Sequence, residues 1–101
     1  MRIEVLYVPG CPNYQPILER IQEVLASESV RGEIHGVPVR TEAQANSLQF
    51  PGSPTIPING KDVEPGKTSA PGLACRLYAN LSGVPSEELL RLAVSAAKRE
   101  G

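Results

Sequence analysis

Arg2-Ile3-Glu4-Val5-Leu6-Tyr7-Val8-Pro9-Gly10-Cys11-Pro12-Asn13-Tyr14 is the stretch that decides how the rest of the chain folds. From Val5 to Val8 it is apolar without a break, and β-branched and aromatic residues dominate. A strand covered on both faces has that composition. Pro9-Gly10 stops it. Downstream, Ile17, Ile21, Val24 and Leu25 recur at i, i+4, i+7 and i+8, with Glu19, Arg20 and Gln22 between them. This is the pattern of an amphipathic helix. Pro12 and Pro16 stand near its start, where a missing N–H costs little. A buried strand turning directly into such a helix is the opening half of a βαβ unit.

Working outward, residues 32–39 read as a second strand, with Ile34, Val37 and Val39 as its apolar content. Pro38 near its end marks it as an edge strand. With a helix between them, the two strands are expected to run parallel through a right-handed crossover. Thr41-Glu42-Ala43-Gln44 has capping-box spacing and predicts a short helix to about Leu48. Residues 55–58 and 61–64 form an antiparallel pair around Asn59-Gly60, a strong hairpin signal. Pro57 lies inside that pair and is expected on the side that needs no ladder bond. Residues 64–72 carry turn chemistry throughout, and residues 73–78 are too short to assign. A last helix starts near Ser86, with Glu87 and Glu88 in its first turn and Lys98 and Arg99 in its last. Its buried stripe is read as Leu89, Leu92, Ala93, Ala96 and Ala97. The order is β-α-β-α-β-β-α: an α/β fold with a mixed four-stranded sheet and helices on both faces, forming one domain over residues 1–101.

A chain of 101 residues has room for one core. Ten basic and eleven acidic residues are mixed along it, for a net charge of −1, which gives no field to gather nucleic acid or anionic lipid. Glu4 interrupts what would have to be the apolar part of a secretory leader, and no apolar run of about 18 residues predicts a membrane span. A reducing cytoplasm is the expected compartment. There the two cysteines, Cys11 and Cys75, are expected to be free, catalytic or metal-binding rather than permanently bridged.

Cys11 falls between the first strand and the first helix. Ligands and reactive groups gather beyond the carboxyl end of a strand in open α/β sheets, and a helix N-terminus favours an anion there. The thiolate is the reactive form of cysteine, so the placement predicts chemistry, with backbone amides of the helix converging on the sulfur. The competing reading is a small buried hydrophobe at an ordinary turn. Asn13 serves as a helix cap or as a substrate hydrogen-bonding group, capping being the commoner role. Tyr14 either donates its hydroxyl toward the sulfur or packs over it. Arg76 beside Cys75 favours a thiolate if it faces the sulfur. His35 is the single histidine, on the second strand, so a structural zinc site is not expected. Two thiols alone suit a soft cation such as Hg(II) or Cu(I).

The element order, the position of Pro9-Gly10-Cys11-Pro12-Asn13-Tyr14, and the segment Gly52-Ser53-Pro54-Thr55-Ile56 together resemble the thioredoxin/glutaredoxin superfamily. More closely, with Gly72-Leu73-Ala74-Cys75-Arg76-Leu77-Tyr78, the chain is similar to a group of small bacterial thioredoxin-like proteins, some called alkylmercury-lyase-like. The resemblance spans essentially the whole chain. It implies a thioredoxin-like fold, with Cys11 as the attacking cysteine and Pro54 as a cis-proline facing it. It also implies substrate contacts from Pro12, Asn13, Tyr14, Ser53, Pro54, Thr55 and Arg76. The implied activity is thiol–disulfide exchange on a small disulfide or a protein thiol, with glutathione as a possible co-substrate and no bound cofactor. Tyr14 stands where a dithiol enzyme has its second cysteine. The route is then monothiol, or else Cys75 resolves the intermediate. The alternatives are soft-metal or organomercurial handling by Cys11 and Cys75, and a non-catalytic binding domain.

Overall fold

The computed structural model describes residues 1–64, 78 and 83–100. The elements are β1 (Arg2–Tyr7), α1 (Tyr14–Ser27), β2 (Glu33–Pro38), α2 (Glu42–Leu48), β3 (Pro57–Ile58), β4 (Lys61–Asp62) and α3 (Glu87–Glu100). They form a small α/β protein with a mixed four-stranded sheet in the order β2-β1-β3-β4 and three helices. β1 and β2 run parallel, in register from Arg2–Glu33 to Tyr7–Pro38. β3 pairs antiparallel with β1 and with β4. β2 is an edge strand, as Pro38 predicts. None of the helices among the described residues is long and apolar enough to cross a membrane.

Side chains alternate across a strand, so β1 feeds two cores. Ile3 and Val5 join Ile17, Ile21, Val24 and Leu25 of α1 and Leu90, Val94 and Ala97 of α3 in the larger cluster. Leu6 points the other way, to Val39, Ala45 of α2 and Phe50. The sheet therefore has α1 and α3 on one face and α2 on the other. The apolar stripe read for α1 is the buried one.

The stripe read for α3 is rotated. Leu90, Val94 and Ala97 are buried, whereas Leu92 is 62% exposed. Apolar residues surround most of this helix, so spacing alone leaves its phase open; the facing residues of α1 and β3 set it.

Pro57 also departs from expectation. Leu6 and Thr55 exchange both backbone bonds, at 2.8 and 2.9 Å, and the Asn59 N–H donates to the Arg2 carbonyl at 2.8 Å. By the two-residue period, the Pro57 nitrogen faces β1 opposite Glu4, on the bonded side. Its missing N–H breaks the ladder, which explains why Leu6–Thr55 is an isolated bridge and β3 is only two residues long. Asn59 (φ 50°) and Gly60 (φ 85°) close the hairpin in the left-handed region, as the Asn-Gly signal demands.

The helix ends follow local chemistry. Thr41 Oγ1 accepts the Gln44 N–H at 3.1 Å, and Gln44 Oε1 reaches back to the Arg40 N–H at 2.9 Å, one residue earlier than in a strict capping box. Ser86 Oγ accepts the Leu89 N–H at 3.1 Å and opens α3.

Candidate functional site

Two consecutive turns carry the chain from β1 into α1. The Cys11 N–H donates to the Val8 carbonyl at 3.0 Å, and Gly10 has φ +88°. Pro at the second position, Gly at the third with positive φ and this closing bond define a type II turn. The Tyr14 N–H then donates to the Cys11 carbonyl at 3.3 Å, with Asn13 at φ −91°, ψ −7°. These are the angles of the third residue in a type I turn. Cys11 is thus the hinge residue between two turns and is half-buried, with a free thiol.

Several of the amides at the start of α1 do not serve its sulfur. Tyr14 N–H serves the Cys11 carbonyl, Ile17 N–H serves the Asn13 carbonyl at 3.1 Å, and Pro12 and Pro16 have no N–H to give. Among the described residues no hydrogen bond reaches the Cys11 sulfur. Two residues, Pro12 and Asn13, separate Cys11 from the first helical position, and the Tyr14 N–H at that position bonds the Cys11 carbonyl.

Asn13 is the N-cap residue but makes no side-chain cap bond, which corrects the expected capping role. Its carboxamide lies against Gly83 so closely that a Cβ there would overlap the amide. Tyr14 stacks on Tyr7, with ring centroids 3.9 Å apart and planes 22° from parallel. Its hydroxyl reaches over Gly36 of β2, where a side chain of any size would collide with it. Tyr14 thus packs and does not donate to the sulfur. Burial, and then the neighbouring Tyr7 phenol through charge and hydrogen bonding, raises its pKa above the ordinary 10.0.

The proline segment is packed beside these turns. The Val8 N–H donates to Ser53 Oγ at 3.0 Å, and Ser53 is only 3% exposed. The Ser53–Pro54 bond is cis. Pro54 is fully buried, and buried Thr55 donates its hydroxyl to the Gly52 carbonyl at 2.6 Å. Val8 therefore joins the two segments through one peptide unit pair: its N–H holds Ser53 and its carbonyl holds Cys11. Pro12 is exposed, Cys11 and Asn13 are half-buried, and Ser53, Pro54 and Thr55 are buried.

One residue that the sequence reading did not place at the site belongs here. Tyr78 is 1% exposed and donates its hydroxyl to the Pro54 carbonyl at 2.5 Å. Neither periodicity nor spacing marks it; the signals are its place at the end of the stretch 72–78 quoted for the resemblance and the need of a buried tyrosine for a partner to its O–H. Cys75 and Arg76 lie outside the described residues. His35 sits on β2 beside Glu33 at 3.3 Å, and the described residues contain no group of three or more His, Cys, Asp or Glu side chains able to hold a metal ion.

Comparison of the chain with models of known protein families, with curated proteins and with solved structures finds no match in any of the three.

Proposed function

We propose that this chain is a thioredoxin-like domain whose half-buried Cys11 performs monothiol thiol–disulfide exchange. The observation that carries the reading is the double use of Val8, which ties the Cys11 turn and the Ser53-Pro54-Thr55 segment to one point. A half-buried cysteine whose turn is tied to a packed proline loop fits the arrangement that the sequence resemblance implies. In the first step the Cys11 thiolate attacks one sulfur of a disulfide. The substrate S–S bond breaks, a Cys11–substrate disulfide forms, and the other sulfur leaves as a thiolate. A second thiolate, glutathione or a protein thiol, attacks the substrate sulfur of that mixed disulfide and releases Cys11. Tyr14, turned onto Tyr7 and Gly36, offers no resolving group.

The test is turnover of a glutathione mixed disulfide with glutathione as reductant. Wild type and Cys75→Ser are expected to cycle many times per chain, while Cys11→Ser falls to the uncatalysed rate. Equal rates for wild type and Cys11→Ser end the proposal.

A second reading, a non-catalytic binding domain, is favoured by one observation: among the described residues no hydrogen bond reaches the sulfur to stabilise it as an anion. It predicts that Cys11 reacts with disulfides no faster than a cysteine in a short peptide. Rates in the same assay separate the two.

A further inference from the structure

The outer edge of β2 carries a self-complementary pattern. Glu33 N–H and Val39 N–H donate inward to the carbonyls of Met1 and Tyr7, at 2.9 and 2.8 Å. By alternation, the N–H and C=O groups of Ile34 and Gly36 face outward, away from β1. Among the described residues no further strand lies beyond them, because β2 ends the sheet. Glu33 and His35 share one face of this edge, 3.3 Å apart, with side chains 78% and 41% exposed. Their register neighbours on β1 are Arg2 and Glu4, themselves paired at 3.8 Å, so this end of the face is polar and uncovered by α2. On the opposite face Ile34 is half-buried.

Outward hydrogen bonding allows an antiparallel second copy of β2 in few registers. Centring on Gly36 sets the donorless Pro38 opposite Ile34. Centring on His35 sets histidine against histidine and Glu33 against Val37. Centring on Ile34 sets Ile34 against Ile34 and Gly36 against Gly32, and brings each Glu33 opposite the other chain's His35. Such directly opposed, non-hydrogen-bonded positions bring side chains closest together. Glycine on both sides of the Gly32–Gly36 pair leaves the backbones free to approach.

We propose that β2 edges of two chains pair antiparallel about Ile34, giving a two-fold dimer with a continuous eight-stranded sheet, fixed in register by reciprocal Glu33–His35 contacts. The strand edge is small, so the dimer is weak and forms at high protein concentration. A charged edge with a terminal proline ordinarily discourages association. Here Pro38 refuses the Gly36-centred register, the His35–His35 opposition disfavours the next, and the Glu33–His35 pairs accept the one centred on Ile34.

Sedimentation equilibrium of the full chain, up to about 1 mM, tests this. Wild type is expected to show a monomer–dimer equilibrium. Glu33→His faces histidine with histidine and His35→Glu faces glutamate with glutamate, so each alone is expected to associate at least about tenfold more weakly. An equimolar mixture of the two variants restores both contacts and is expected to form the heterodimer; the double variant restores the homodimer. Both positions are exposed, and unchanged circular dichroism confirms that each variant is folded. A wild type monomeric throughout, single variants that associate as wild type does, or a mixture that gains nothing over its components would each overturn the proposal.

Discussion

Gly36 has no side chain, yet it fixes where Tyr14 can go. The Tyr14 hydroxyl occupies the space in which a Cβ at position 36 would stand, and stacking on Tyr7 keeps the ring from yielding. Gly36→Ala is therefore expected to destabilise the protein by about 1–3 kcal/mol, the usual range for overpacking. In a Tyr14→Phe background the hydroxyl is gone, and the same substitution is expected to cost at least about 0.5 kcal/mol less. Urea unfolding of the four proteins in the cycle measures both quantities. Additive effects would show that the collision is relieved some other way. Asn13 and Ser53 teach a related lesson at this scale. Both are polar residues beside a turn; the sequence offers Asn13 as a cap or a substrate contact and Ser53, through the resemblance, as a substrate contact. The fold uses Ser53 Oγ as the acceptor for Val8 and leaves the Asn13 carboxamide to pack on Gly83.

Among the elements, α1 and α3 make an instructive pair. α1 alternates charged and apolar residues cleanly, so its buried face follows from spacing alone. α3 carries Leu89, Leu90, Leu92, Ala93, Val94, Ala96 and Ala97, and several faces could serve. Its observed orientation makes opposite predictions for two leucines. Leu90→Ala is expected to cost about 2–5 kcal/mol, and Leu92→Ser to stay within about 0.5 kcal/mol of wild type. Thermal unfolding of the two variants decides; a larger loss at Leu92 would mean that α3 packs with the other face. The hairpin shows the same division. Asn59-Gly60 dictates its own backbone, so the turn was legible, whereas the damage done by Pro57 depends on which neighbour its nitrogen faces. At the site, the turn around Cys11 and the proline segment could be found from local motifs. The competition for the first helical amides could not, because it depends on where the helix begins to within one residue. The bond from Tyr78 to Pro54 was out of reach for a different reason: the two residues lie 24 positions apart.

For the molecule as a whole, the sheet divides the interior unequally, with the larger core under α1 and α3 and a small cluster under α2. The Tyr7–Tyr14 stack lies on the α1 side, and its titration enters the global stability. Tyr14 has its folded pKa raised above 10.0 by burial and by Tyr7. The unfolded chain therefore releases this proton first as pH rises. The stabilising contribution is intact below about pH 10 and is lost as pH climbs through the raised folded value. Urea midpoints followed from pH 8 to pH 11 are expected to fall more steeply in wild type than in Tyr14→Phe. Parallel curves would place the alkaline loss at other groups. The same packing constrains descent as well as stability. A lineage that acquired a second thiol one helical turn after Cys11 would have to replace Tyr14, which strips Tyr7 of its stacking partner and leaves Gly36 bare. Filling position 36 beforehand collides with the phenol. Either order passes through a poorer protein, so interior packing, independently of any selection on redox chemistry, holds this chain to one cysteine at that turn.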